Sequence, residues 1–474
     1  MAQELGEDRI SGLPNDILHK ILSLLHIKSV AQTCVLSKRW RSLWLTFPDL
    51  DFTTVESLAR CADIGGSAFA SNTAEDVLGI ERLLLKRNKE NSILRLFKLR
   101  TVLSFASLRR LIECAVALDV QKLDIDVDTS DYFNFPCAVL LDKRLLSLRL
   151  RSENHEIKLP SAEVIQRGFQ SLTAMSLTRG DFNDEPSLVN IFTDPFFPSL
   201  KTLTLELCSG IKNLKVQLSN LLDLAVVHIK SLVVMELNSK KLENLRVDRS
   251  FTSTERAQVL LSSPSLKEVI WFRNNVVENF IIDNLTNLQK VTLLNNDTEL
   301  NVKDLLRGTS QLKLKDFIAG ISHCHYLFIC GPFIELIPQY KPFKCLTTLT
   351  MQTFRARTNI SAEALTFFLR SSPAIEDLTI VSRGPWSSET PWNWDSASVE
   401  SSLRHLKILV VDRFTRAADD VEFVRFVLKN ATVLERVSLH STQTDINENV
   451  RNEVRGFRRA SPKCDVQFRS LEHC

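Results

Sequence analysis

Short segments of alternating apolar and polar residues recur along the chain from about residue 120. Each follows the pattern L-x-x-L-x-L, in which Ile, Val or Met replaces some of the leucines. Because side chains alternate between the two faces of a β-strand, the last two apolar residues of each segment share a face, and the pattern predicts one short half-buried strand per segment. The central apolar residues of these strands are Leu123, Leu148, Met175, Leu203, Leu224, Leu245, Val269, Val291, Leu349, Leu378 and Val437.

The spacing between these central residues is 21 to 28 positions over the first eight strands. Two wider gaps each leave room for one more strand, which we expect around Leu327 and Leu409. A period of this length with one strand per unit is typical of leucine-rich repeats, which stack into a solenoid with a parallel sheet. The repeats are irregular and lack the regular Asn or Cys of the standard pattern, so the sequence leaves their number open.

Residues 8–52 carry a helical pattern instead. Two adjacent apolar stripes, wider than one packed neighbour requires, are formed by Ile17, Ile21 and Leu24 and by Leu18, Leu22 and Leu25. Pro14 suits the first turn of this helix. A second helix is predicted to begin at Ser29, because Ser29 and Gln32 have the spacing of a capping box.

The stretch LSKRWRSLW, residues 36–44, mixes aromatic and basic residues and allows two interpretations. It could bind nucleic acid, or it could be a helix that packs its aromatic side chains and leaves its charges in water. Leu36, Trp40, Leu43 and Phe47 recur on one helical face, while Lys38, Arg39 and Arg41 mostly leave it. This arrangement on the helix favours the second interpretation, in which the aromatic side chains are packed and the charges lie in water.

The N-terminal segment resembles an F-box. The resemblance rests on Leu13-Pro14, Ile17-Leu18, Ile21-Leu22 and Val35-Leu36-Ser37-Lys38-Arg39-Trp40, which occur in the order of that family. It implies a helical module that docks onto a Skp-type adaptor, which connects to a cullin in SCF ubiquitin ligases. The adaptor-binding residues that it implies are Leu13, Pro14, Ile17, Leu18, Ile21, Leu22, Val35, Leu36 and Trp40.

The C-terminal segment is similar to the FBD region that ends many plant F-box/leucine-rich-repeat proteins. The similarity rests on LRHLKILVVDRF, DDVEFVRFVLKNATVLERVSL and FRRASPKCDVQF. Phe423, Phe426 and Val427 should share one face of a helix that precedes the strand around Val437.

The strand pattern and the two resemblances together predict an α/β fold, with an N-terminal helical F-box followed by an irregular leucine-rich-repeat solenoid with a parallel sheet.

Four regions follow: the F-box (8–52), a helical and linker region (53–119), the repeats (120–383) and FBD-like C-terminal repeats (397–469). Within the second region, residues 61–76 are rich in small residues and predict a loop or mobile linker, whereas residues 107–118 predict an amphipathic helix. Residues 384–402 form another predicted loop, with Trp386, Trp392 and Trp394. These tryptophans could anchor the loop to its own domain, which we favour, or recognise a partner.

Composition excludes several classes of protein. The net charge is only +3, from 59 basic and 56 acidic residues, so no global field draws the chain to nucleic acid or membrane. No apolar run is long enough to span a bilayer, and the acidic, polar N-terminus does not resemble a secretory signal. The ten scattered cysteines should be reduced and mostly buried, which fits a cytoplasmic or nuclear location or both.

Motifs for chemistry are scarce in the sequence. The chain has no GxGxxG or GxxxxGK[ST] loop and no HExxH motif. The best metal candidate is His323-Cys324-His325 with Cys330 beyond it, but it lies at a predicted repeat strand and a zinc site needs four ligands with orienting partners. We therefore expect no metal, no cofactor and no catalytic residue.

Three hypotheses remain for the function. In the first, which we favour, the chain is the non-catalytic substrate-recognition subunit of an SCF-type ubiquitin ligase, and its repeats hold an unknown target protein. In the second, it is a leucine-rich-repeat binding protein that acts outside a ubiquitin ligase. The third, an enzyme with a dispersed site, has no support in the sequence. Neither nucleic acid nor membrane is an expected partner.

Overall fold

The computed structural model folds as two compact units, residues 1–221 and residues 222–474. The residues that it describes are 10, 12–55, 58, 70–89, 92–140, 143–183, 188, 190–230, 232–251, 257–274, 277, 279–283, 285–294, 320–330, 333–334, 343–352, 362–381, 399–414, 418–441 and 448–470. In these ranges, no helix is long and apolar enough to cross a membrane. The predicted tryptophan loop at 384–402 lies almost wholly outside them.

The first unit begins with three short helices. They are α1 (Asn15–Leu22), α2 (Ile27–Gln32) and α3 (Lys38–Thr46), with a 3-10 turn at Thr33–Val35 between the last two. Pro14 lies just before α1 as its N-cap residue. The core of the bundle contains Leu18 and Leu22 of α1, Ile27 and Val30 of α2, and Leu43 and Leu45 of α3.

The prediction of one second helix that begins at Ser29 is wrong in both its start and its extent. The helix begins at Ile27 with His26 as its N-cap and no side-chain cap, so Ser29 lies inside it and forms no capping box. The chain then leaves the helix before Ser37, whose hydroxyl accepts a hydrogen bond from the Trp40 amide and starts α3. Leu36 therefore does not continue the apolar face of Leu43 and Phe47: it is exposed, whereas they are buried.

A parallel sheet forms the body of the first unit. Its strands, in order, are β1 (Asp49–Asp51), β2 (Leu96–Leu103), β3 (Lys122–Thr129), β5 (Ser147–Arg151), β7 (Ala174–Thr178) and β9 (Thr202–Glu206). A smaller sheet joins β4 (Phe133–Asn134), β6 (Ile157–Lys158) and β8 (Gly180–Asp181). The remaining elements are β10 (Asn213–Val216), α4 (Ala70–Lys89), α5 (Phe105–Val116) and α6 (Ala162–Gln166).

The region between the helices and the repeats is more ordered than the sequence suggested. Helix α4 begins at Ala70, inside the stretch 61–76 that we predicted as a loop, because small residues such as Ala and Ser do not prevent a helix that packs well. Strand β2 was not predicted at all, although its burial alternates along its whole length. The amphipathic helix predicted at 107–118 is present as α5, shifted by two residues.

The second unit contains the longer series of parallel strands. Their order is β11 (Asp223–Val227), β13 (Asn244–Asp248), β15 (Glu268–Phe272), β17 (Lys290–Leu294), β18 (Tyr326–Cys330), β19 (Thr348–Gln352), β20 (Asp377–Val381), β21 (Ile408–Asp412), β22 (Arg436–Ser441) and β23 (Asp465–Ser470). A second sheet joins β12 (Val234–Asn238), β14 (Gln258–Ser262) and β16 (Asn279–Asp283). Helices α7 (Ala362–Ser371), α8 (Ala418–Asn430) and α9 (Glu448–Arg455) belong to the later repeats. The helix predicted before the strand around Val437 is present as α8, and its Phe423, Phe426 and Val427 are buried.

The predicted strand register is confirmed. In each unit the central residues pair directly with one another, as in Leu148 with Met175 and Leu378 with Leu409. All are buried, and Leu327 and Leu409 fill the two gaps. The ladder also extends beyond the predicted set, to Leu50 and Phe97 before the first strand and to Val466 after the last.

Each standard repeat has a polar residue three positions after its last buried apolar strand residue, and here three residue types share this role. Cys208, Ser250 and Asn274 are buried, and each donates to a carbonyl of the preceding repeat. Asn274 does most: its Nδ2 donates to the Val247 carbonyl at 2.8 Å, while its Oδ1 accepts from the Ser250 and Phe251 amides. The polar position that we considered missing is therefore present in these repeats, with variable chemistry.

Candidate functional site

An apolar surface lies on the helical module. Ile17 and Ile21 of α1 are each 40% exposed, Leu24 and Val35 are 85% exposed, and Leu36 is 65% exposed. We call these five residues the apolar F-box surface. Large aliphatic side chains that stay this exposed in one small module are typical of a surface that another chain covers.

The two stripes of α1 have separate roles. Leu18 and Leu22 are 0% and 1% exposed, so the second stripe forms the core of the module. Leu18 and Leu22 belong to the adaptor-binding residues that the resemblance implies, and in this structure they lie in the interior of the module. The first stripe, with Ile17 and Ile21, remains open to a partner.

Sequence reasoning missed part of this surface. Leu24 and Leu25, which follow the C-terminal end of α1, are exposed, as is Ile10 before the helix. Leu24 follows Ile17 and Ile21 in the first stripe, so the helical phase alone could have added it to the candidate residues.

The Leu13-Pro14 segment is held in place by a basic residue. Arg39 of α3 donates to the Leu13 carbonyl and, at 3.0 Å, to Asn15 Oδ1 at the start of α1. Pro14 is exposed and Leu13 is half-buried. One of the three basic residues in LSKRWRSLW thus has a structural role within the module, which our prediction of a solvated basic face did not foresee. Lys38 and Arg41 are exposed.

The remaining predicted adaptor-binding residues, Val35, Leu36 and Trp40, lie around the interruption between the 3-10 turn and α3. Val35 ends the 3-10 turn and Leu36 follows it, while Trp40, in the first turn of α3, is half-buried. His19 joins the helices, because its Nε2 lies 3.3 Å from the Leu43 carbonyl and its ring contacts Phe47 edge-on.

A buried arginine joins the module to the repeats of the first unit. Arg87 of α4 is 0% exposed and donates to the carbonyls of Trp44, at 3.3 Å, and Phe47, at the end of α3. Burial lowers the pKa of its guanidinium to about 10, so it stays charged at neutral pH. A cation at a helix C-terminus satisfies carbonyls that the helix cannot pair itself.

Backbone pairing makes the same connection. Strand β1, which directly follows α3, pairs in parallel with β2, and the Arg95 and Leu96 amides both donate to the Pro48 carbonyl. The helical module and the first repeats therefore share one hydrogen-bonded sheet.

The strands of the first unit carry alternating charges on the face away from the core. Asp49 and Asp51 of β1 face Arg95 and Lys98, and Arg100 of β2 faces Asp126 of β3. Further along, Arg149 and Arg151 of β5 pair with Asp124 and Asp126. Burial raises the pKa of Asp124, and the attraction of Arg149 only partly opposes this effect. Since acid and base alternate by strand, these charges neutralise one another.

The candidate metal residues do not come together. His323 and His325 are exposed, whereas Cys324 between them is buried, and all three precede strand β18 instead of lying in it as we expected. In the described part of the chain, no three His, Cys, Asp or Glu side chains are grouped to hold a metal. Burial raises the pKa of the Cys324 thiol to about 12, so it is protonated at neutral pH.

The cysteines are less buried than predicted. Eight described cysteines are free thiols, and four of them are buried: Cys208, Cys324, Cys330 and Cys464.

Comparison with known proteins agrees with this geometry. The F-box domain family model matches residues 10–51, the model described as "At1g61320/AtMIF1, LRR domain" matches residues 87–314, and the FBD model matches residues 395–439. An F-box/FBD/LRR-repeat protein of Arabidopsis thaliana is 33% identical, over 97% of this chain and 95% of the relative. An FBD-associated F-box protein of the same plant is 26% identical, over 97% of this chain and 100% of the relative.

The two kinds of domain point to a role. An F-box together with leucine-rich repeats supports a substrate-adaptor role. The domain matches, the relatives and the stacked parallel strands agree: the chain belongs to the family of plant F-box/FBD/LRR-repeat proteins.

Proposed function

We propose that the protein is a substrate-recognition subunit of an SCF-type ubiquitin ligase. The apolar F-box surface binds a Skp-type adaptor, and through it a cullin, while the repeats bind a target protein. The subunit acts by position: it raises the effective concentration of target lysines near the charged conjugating enzyme and supplies no reacting group itself.

The observation that carries this proposal is the split between the two stripes of α1. The module already has a core in Leu18 and Leu22, so Ile17, Ile21 and Leu24 are not needed for its own packing. Their exposure, with that of Val35 and Leu36, leaves an apolar surface available for a partner.

The joint at Arg87 supports a positioning role as well. A flexible tether would let the module drift relative to the bound target. Here a buried side chain and a strand pair hold the module on the first repeats, and an effective concentration depends on such a defined geometry.

Calorimetry of the full chain with a purified Skp-type adaptor tests the proposal. Ile21→Asp and Leu36→Asp each place a charge in the apolar F-box surface. Burying one such aliphatic side chain contributes about 1.5–3 kcal/mol, so each variant should bind about 10- to 150-fold more weakly. Lys38→Ala with Arg41→Ala is the matched control, because both residues are exposed charges, and its affinity should change less than about threefold.

Circular dichroism should show that all variants remain folded. If the wild-type chain does not bind the adaptor, the alternative of a repeat protein that acts outside a ubiquitin ligase is favoured. If only the Lys38 and Arg41 variant loses binding, the apolar surface is not the contact.

A further inference from the structure

The sheet of the second unit carries an unusual apolar patch on the face opposite its core. Side chains that alternate with the buried residues of β15, β17 and β18 are apolar and half-exposed, and we call them the concave patch: Ile270, Phe272, Leu294, Tyr326 and Phe328. In the neighbouring β19 the equivalent positions are Thr348, Thr350 and Gln352.

Strand register brings the members of the concave patch together. Phe272 pairs with Leu294, and Thr292 lies between Ile270 and Phe328 in one cross-strand row. Adjacent strands are about 4.8 Å apart, so these side chains lie within reach of one another and of a single bound segment.

Basic residues border the concave patch on two sides. Arg249 and Arg273 directly follow β13 and β15 at equivalent backbone positions, with φ of 47° and 53°. Their amides bond to the last carbonyl of the next strand, at Phe272 and Leu294, which fixes this left-handed turn. The guanidinium of Arg273 lies 4.4 Å from the centre of the Phe272 ring, and Lys290 Nζ lies 5.5 Å from the centre of the Tyr326 ring.

The acidic side chains near the concave patch are already neutralised. Asp248 pairs with Arg246 at 3.1 Å, and Glu268 pairs with Lys290 at 2.8 Å. No described acidic side chain lies within ion-pair distance of Arg249 or Arg273. Among the described residues, Arg249 and Arg273 therefore give this border a positive charge, in contrast to the paired charges on the strands of the first unit.

We propose that the concave patch binds an extended target segment that combines apolar side chains with neighbouring acidic residues. This inference rests on the proposed function and specifies its target. Apolar side chains would cover Phe272, Leu294 and Phe328, and carboxylates would pair with Arg249 and Arg273, where a two-pronged guanidinium favours them. A basic segment would be repelled, which gives the patch selectivity.

Single-stranded nucleic acid is the competing ligand, since aromatic and basic residues together can stack and neutralise it. The patch favours protein instead. Ile270 and Leu294 are aliphatic and offer no stacking surface for bases, whereas they can pack against apolar side chains of a peptide.

The experiment selects twelve-residue peptides from a displayed random library with the full chain. Peptides that also bind either of two patch variants are discarded as background. The variants are Phe328→Ser, and Arg249→Glu combined with Arg273→Glu. The second variant keeps the proposal testable if Phe328→Ser does not fold, because both arginines lie just after the C-terminal ends of their strands and outside the buried core. Thr348→Ala with Thr350→Ala, on the neighbouring strand, is the matched control.

We expect the enriched peptides to contain both Asp or Glu and large apolar residues. Their affinity should fall at least about tenfold in either patch variant, stay unchanged in the threonine control, and weaken as salt is raised from about 50 to 500 mM. Enriched peptides without acidic residues, no enrichment over the patch variants, or displacement by an oligothymidine would overturn the proposal. Adaptor binding, measured in the same patch variants, should not change, so this failure is distinct from failure of the F-box contact.

Discussion

Removal of Arg87 should loosen the helical module from the first repeats. Arg87→Ala leaves the buried Phe47 carbonyl and the partly buried Trp44 carbonyl without their donor. A buried polar group left unpaired costs about 1–3 kcal/mol, and the second carbonyl can recover part of its loss from water. We therefore expect the opening free energy of α3 to fall by about 2–4 kcal/mol.

Hydrogen exchange measures this effect locally, which suits a long chain that does not unfold in one step. At about 1.4 kcal/mol per tenfold change, the protected amides of Lys38–Thr46 should exchange about 30- to 700-fold faster. Amides of the later repeats should keep their rates. Arg87→Lys retains the charge but not the two-pronged donor, so its exchange should be intermediate.

Arg82→Ala is the control, because Arg82 is an exposed arginine on the same helix. Equal exchange in the Arg82 and Arg87 variants would refute our view that the buried guanidinium holds the module, and would leave the β1–β2 pairing as the joint.

Three further predictions concern the repeats. Leu203→Ala should lower the free energy of unfolding by about 2–5 kcal/mol and Thr204→Ala by far less, as thermal melts can check; the reverse order would contradict the register. Asn274→Ala should cost about 2–4 kcal/mol in urea unfolding, since it leaves two buried amides and a carbonyl unpaired; an unchanged midpoint would show that water replaces it. Burial raises the pKa of Asp124, so the carboxylate is disfavoured above the folded pKa and Asp124→Asn should be neutral or stabilising at pH 7. That gain should vanish as the pH falls through the raised pKa; a strongly destabilised variant at pH 7 would mean that its ion pairs outweigh burial.

The repeat strands were predictable because their signal is local. Alternation within six residues sets which side chains are buried, and a one-residue error would have exposed Leu203 in place of Thr204. The period then located the strands around Leu327 and Leu409, because each of the two wide gaps has room for one more unit of the same length.

The helical module was harder to predict, because one capping residue, Ser37, ends the preceding turn and sets where α3 begins. Ser37 accepts the Trp40 amide and restarts the helix, so Leu36 and Trp40 belong to different elements although their spacing fits one. The pairing of β1 with β2 joins residues 49–51 to residues 96–98, and no local pattern reports such a distant contact.

The sequence predicted which residues of α1 are apolar, but not which of them are exposed and which are buried. The sequence identified both stripes of α1, and only their burial in the folded module shows that Leu18 and Leu22 face inward while Ile17 and Ile21 do not. The roles of Arg39 and Arg87 were likewise hidden, since their partners are carbonyls, which every residue has.

The shared sheet of β1 and β2 has a consequence for chimeric proteins. An F-box exchanged between paralogues at residue 52 would take Asp49–Asp51 away from the β2 strand and α3 away from Arg87. A junction after Leu103 keeps the strand pair, the ion pairs of Asp49 and Asp51, and the arginine in one inherited piece. The unit of recombination in this protein is therefore longer than the F-box itself.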